Sequence, residues 1–181
     1  MIHMNSKKIK SSFLQIICFL IVLSLFSCSK SDPVSNNTTP SYTKVSINKV
    51  TIVSFPSNDA GNTWDPLLEG YDPDVYFQFT YSGTTTLIYD WGTSSRKENL
   101  VSSDLPWGYY MLNGQAIYTH YNLSQSIDID LWDYDTLDSD DYMGTATFNI
   151  ANYTTGANKY PSSIIVTSGA TSIQLSLTWL P

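Results

Sequence analysis

The sequence predicts an all-β protein, an antiparallel β-sandwich of eight strands occupying residues 42–181. Two observations carry this expectation. Apolar and polar residues alternate with period two in several separate runs, and no stretch of helical length shows a 3.6-residue apolar period. The composition agrees. With 42% hydrophobic and 14% aromatic residues, a chain of 181 residues has enough apolar surface to bury a core.

The first strand is expected at Lys44–Phe55. In the second, Phe77, Phe79 and Tyr81 take one face while Tyr76, Gln78 and Thr80 take the other. Residues Thr84–Trp91 and Tyr109–Leu112 supply the third and fourth. In the fifth, Ile127, Ile129 and Leu131 alternate with Asp128 and Asp130, and in the sixth Ala146, Phe148 and Ile150 alternate with Thr147 and Asn149. Ser163–Thr167 is the seventh. In the eighth, Ile173, Leu175, Leu177 and Trp179 alternate with Gln174, Ser176 and Thr178. Strands with one apolar face each bury it by packing as two sheets.

Ahead of this body, Lys7, Lys8 and Lys10 precede an apolar run from Phe13 to Phe26. As a helix that run spans about 21 Å, short of the roughly 30 Å hydrocarbon core of a bilayer, so it reads as an export signal at residues 1–27. Leu25-Phe26-Ser27-Cys28 resembles the lipobox of bacterial lipoproteins. The resemblance implies lipidation of Cys28 and a lipid anchor in the cell envelope. Ser29, where an Asp often retains such proteins in the inner membrane, implies the outer membrane of a Gram-negative bacterium. Residues 28–41, polar and with two Pro, form a flexible tether. Loss of the signal leaves six basic against 16 acidic residues, a net charge of −10. A balance this acidic excludes nucleic acid as a partner, because phosphate contacts need clustered Lys and Arg.

The acid is concentrated. Seven of the 16 Asp and Glu residues fall between Asp128 and Asp141, and a second cluster lies in Trp64-Asp-Pro-Leu-Leu-Glu-Gly-Tyr-Asp-Pro-Asp74. Like charges packed at loops repel unless a cation sits among them, and oxygen ligands without nearby His or Cys select calcium. A solvated acidic loop is the plain alternative. The EF-hand spacing fails: counted from Asp133, the sixth position is Asp138 where Gly is required, and the twelfth is Gly144 where Glu is required.

The run Ile127-Asp-Ile-Asp-Leu-Trp-Asp-Tyr-Asp-Thr-Leu-Asp-Ser-Asp-Asp-Tyr-Met-Gly144 resembles the third calcium loop of C2 domains such as those of protein kinase C and synaptotagmin. The resemblance implies a C2-like sandwich in which Asp133, Asp135 and Asp141 are calcium ligands and Gly144 closes the motif. Asp74-Val-Tyr-Phe-Gln-Phe is similar to the family's first-loop segment. It implies Asp74 as a further ligand with Asp65, and Asp72 as an additional candidate through the competing alignment at Asp72-Pro73. Carboxylates from both loops then bracket calcium, leaving coordination positions open for an outside ligand, commonly a phospholipid head group. Leu67 and Leu68, between the first-loop acids, are candidates for membrane contact or for folding back onto Trp64. Arg96-Lys97 is the only adjacent basic pair after the signal, so a surface protein or a glycan rivals lipid as partner.

Catalysis is not expected. One His, His120, follows the signal, and a strand-edge or core-rim place suits it better than a general base. Trp91, Trp107, Tyr109 and Tyr110 form either a sugar-stacking platform or core.

Overall fold

The computed structural model describes residues 41–65, 72–137 and 139–181. The strands are β1 (Lys44–Ser54), β2 (Val75–Tyr81), β3 (Leu87–Asp90), β4 (Trp107–Tyr110), β5 (Tyr118–His120), β6 (Ile127–Asp133), β7 (Asp141–Phe148), β8 (Ser163–Ser168) and β9 (Thr171–Leu180). They form two antiparallel sheets, β3-β2-β6-β7 and β4-β1-β9-β8, with β5 also paired to β1. The expected antiparallel sandwich is therefore present. The expected signal at residues 1–27, the expected lipidation site Cys28, the expected tether up to residue 40 and the Leu67–Leu68 pair lie outside the described residues.

The strand count is corrected from eight to nine, although the sheets hold eight strand positions. β4 pairs with Lys49–Ile52 and β5 with Val45–Ile47, both on the side of β1 away from β9. One edge position is thus split into two short pieces. β5 escapes the sequence reading because three residues are too few to show an alternation.

The core forms where alternating residues of the two sheets meet. Val45, Ile47, Val50 and Ile52 of β1 are all fully buried. The three-residue step from Ile47 to Val50 is accommodated by a register shift between Ile47 and Lys49, which returns the apolar residues to the inner face. In β6 the alternation has no break: Ile127, Ile129, Leu131 and Asp133 are all buried. Asp128, Asp130 and Trp132 face outward between them. The strand's phase thus carries a carboxylate, Asp133, to the position where the next core residue would stand.

A second register shift, between Leu131 and Trp132 of β6, leaves Met143 of β7 without an opposite residue. Beside it Gly144 adopts φ +132°, and a Cβ there would stand 2.5 Å from Oγ1 of Thr171, which is 1% exposed. Both the backbone angle and the missing side chain are thus required. Gly144→Ala is expected to cost on the order of 2 kcal/mol, read as a lower melting temperature with unchanged strand signal in circular dichroism.

Candidate metal centre

Asp133 ends β6 on the inner face and is 0% exposed. Its Oδ1 accepts the Asp74 N–H at 2.6 Å, and its Oδ2 is buried without a hydrogen-bond partner. Tyr134 N–H donates in turn to the Asp74 carbonyl at 3.0 Å. These two bonds latch the base of the β6–β7 loop to the entry of β2. Antiparallel pairing of Val75 with Asp133 sets the two chains side by side at this point.

Burial pushes the Asp133 carboxyl up to about 8, and the Asp65, Asp135 and Asp74 carboxylates push the same way, while the Asp74 N–H opposes them. Asp65 and Asp135 are themselves 2% and 8% exposed. Asp65 and Asp135, both buried, thus each press on the buried Asp133 carboxyl. Asp141 stands opposite Asp133 across the β6–β7 ladder and is half-buried.

Asp74 is placed differently. Its backbone joins Asp133, but its carboxylate turns to Arg96 Nε at 2.9 Å and to the Asn99 N–H at 2.9 Å. Arg96 also stacks over the Tyr134 ring at 4.4 Å. The hydrogen bond to Asp74 holds the guanidinium pKa above its ordinary value. Arg96 reaches this place because Val75 and Lys97 exchange backbone hydrogen bonds of 2.9 and 2.8 Å, which runs the segment after β3 beside the start of β2. Asp72, the additional candidate, is half-buried just before this crossing. Among the described residues no three His, Cys, Asp or Glu side chains stand ready as a metal-binding set.

Sequence reasoning misses three contributors. Arg96 and Asn99 lie 22 and 25 residues from Asp74, beyond any local pattern. Asp140 accepts the Tyr76 hydroxyl at 2.6 Å and, more weakly, the Asp135 N–H at 3.4 Å, fixing the far side of the loop. Its place in the acidic run was visible, but its partner on β2 was not.

The remaining candidates separate clearly. His120 ends β5 and is 2% exposed, its ring near Tyr118 and near Tyr81 at the far end of β2 from Asp74, and burial lowers its pKa. Of the aromatic quartet, Trp91 and Tyr109 join the core around Phe77, whereas Trp107 and Tyr110 are exposed. They form no common platform.

The donor chemistry fits calcium. Several carboxylates from two loops, one with a buried and unpartnered oxygen, are hard ligands whose repulsion a divalent cation relieves.

No family model and no curated protein matches the sequence. Among solved structures, the chain is similar to a C2 domain of plant extended synaptotagmin 1, with a TM-score of 0.42 and 10% identity over 78% of this chain and 98% of that one. It is also similar to human GIVD cytosolic phospholipase A2, with a TM-score of 0.41 and 10% identity over 76% of this chain and 17% of that one. At these scores the likeness adds nothing to the strand pairing described above.

Proposed function

We propose that this chain is a calcium-binding, C2-like module of a lipid-anchored envelope protein, a binding unit without catalytic activity. Its metal-bearing end engages a membrane or another surface molecule. The observation that supports this most directly is Asp133, wholly buried, with one oxygen bonded to the first loop and the other without a partner. A core position occupied by a half-satisfied carboxylate costs stability unless something positive completes it. Among the described residues no basic side chain does so, since Arg96 is engaged by Asp74 and Glu98.

Asp65, Asp133, Asp135 and Asp141 would hold the metal, with Asp74 joining on release from Arg96 and Asp72 at the margin. Bound calcium supplies positive charge and open coordination to an incoming oxygen ligand. The protein's own part is to hold the loop bases together through the Asp74–Asp133 and Tyr134–Asp74 bonds. The lipid anchor and outer-membrane location rest on the sequence around Cys28.

Calorimetric titration of the full chain with calcium tests the reading, alongside the double variant Asp133→Asn/Asp135→Asn. Saturable binding below about 1 mM that the variant loses is the expected result, since sites outside the cytosol commonly have affinities of about 0.1–1 mM. A Kd of about 0.1 mM adds about 1.4 kcal/mol of stability at about 1 mM calcium. A folded protein that binds no calcium at several millimolar refutes the metal site. Calcium-dependent pelleting with phosphatidylserine vesicles then separates a lipid ligand from a surface protein or glycan.

A further inference from the structure

The outer face of the β3-β2-β6-β7 sheet carries a groove of about 590 Å³, within the roughly 300–1,000 Å³ of small-molecule sites. Its floor follows from the strand register. Across β2, β6 and β7 the outward residues fall in rows, Tyr76–Trp132–Tyr142, then Gln78–Asp130–Thr145, then Thr80–Asp128–Thr147, of which all but Thr147 and the buried Tyr76 line the groove. An aromatic row therefore lies beside two rows of hydroxyls, an amide and carboxylates.

The polar rows are held in place by one another. Asp130 accepts the hydroxyls of Thr80, at 2.9 Å, and Thr145, and Thr145 is also bonded to the Tyr142 hydroxyl. Asp128 accepts the Thr147 hydroxyl at 2.6 Å and the Gly83 N–H at 3.3 Å. Each carboxylate has about four acceptor positions, so about half remain available. Trp132 and Tyr142 meet edge to face at 5.3 Å, and Tyr142 is 52% exposed. The Trp132 Nε1–H is buried without an acceptor.

From this we infer a second site: the groove binds a neutral saccharide, with a sugar ring against Trp132 and Tyr142 and its hydroxyls on Asp130 and Asp128. Three features select that chemistry. Among the described residues no Lys or Arg lines the groove, which disfavours phosphate and sulfate groups. A simple cation would suit the carboxylates but leaves the aromatic row without a partner, whereas a sugar's hydroxyls donate to the carboxylates while its ring covers the aromatics. Aromatic rings take the apolar C–H face of a sugar and leave its polar rim to the flanking rows. The site lies on the outer face of β6, away from Asp133, and does not depend on the calcium reading.

The test probes the full chain, in a sugar-free detergent, against an array of neutral oligosaccharides (glucans, mannans, xylans and galactans), with chitosan and polylysine as cationic controls. Saturable binding to at least one neutral saccharide is expected. Tyr142→Ala and Asp130→Asn should each weaken it by about tenfold or more, equivalent to about 1.4 kcal/mol. EDTA and the Asp133→Asn variant should leave it unchanged, so a failure of the calcium site and a failure of the groove are distinguishable. Tyr142 is exposed enough for its truncation to preserve the fold, which circular dichroism checks. The proposal is overturned by binding to no neutral saccharide, by binding to the cationic controls only, or by binding that both variants retain.

Discussion

Raising the pH from about 5 to about 8 is expected to weaken the metal-free fold while tightening its binding of calcium. Both effects come from Asp133, whose carboxyl is pushed up to about 8 by burial and by the Asp65, Asp135 and Asp74 carboxylates. A carboxyl with a folded pKa above its unfolded one holds its proton more firmly in the native state. Its stabilising contribution is complete below the unfolded value, near 3.8, and is lost as pH rises through about 8. Arg96, which stays charged throughout, is bound to Asp74, so it does not offset the change. Calcium requires the carboxylate, so binding displaces the proton. Below about pH 8 the apparent affinity should rise by up to about tenfold per pH unit. Melting curves in EDTA across this range should slope downward for the wild type and not for Asp133→Asn, whose amide keeps the acceptor for the Asp74 N–H. Calorimetry in two buffers of different ionisation enthalpy should register close to one proton released per site at about pH 7, vanishing near pH 10. A flat wild-type profile with no proton release would remove Asp133 from the site.

Phe77→Ala should cost about 3–5 kcal/mol, the usual range for emptying a buried phenylalanine site. Phe77 is 0% exposed, and its ring lies 5.2 Å from Phe79, 5.3 Å from both Trp91 and Tyr109, and 6.2 Å from Tyr89. Those neighbours belong to three different strands and a loop, so no single side chain can move in to fill the space. Tyr109 is further tied by its hydroxyl to the Val75 carbonyl at 2.6 Å. A melting temperature lowered by about 10 °C or more is expected, whereas Phe77→Leu should lose less than half as much. Equal, small losses from both would mean that the aromatic cluster repacks, contrary to the rigidity that its contacts imply.

Much of the fold was legible because its strands are half-buried, and half-burial writes itself as alternation. Phe77 and Phe79, or Ile127, Ile129 and Leu131, announce their face without reference to anything distant. The same rule extended by two residues places Asp133 inside, so the central carboxylate of the site was readable from phase as well as from the motif. What escaped was everything that depends on a partner strand. Arg96 meets Asp74 only because the segment after β3 crosses the start of β2. The exclusion of any side chain at Gly144 depends on Thr171, 27 residues away. Trp132 and Tyr142 become neighbours through the β6–β7 register, and Asp128 and Asp130 read as surplus acid until that register sets them in rows.

Strand β6 carries inward apolar residues ending in Asp133 and outward Asp128, Asp130 and Trp132, on consecutive positions of one seven-residue element. The loop end and the groove are thus in phase with each other. Substitutions can alter either face while sparing the other. A one-residue insertion or deletion within Ile127–Asp133 does not, because every residue on one side of it exchanges faces unless a bulge absorbs the change. Length in this strand is therefore the most conserved quantity to expect as the protein diverges, ahead of any single residue in it.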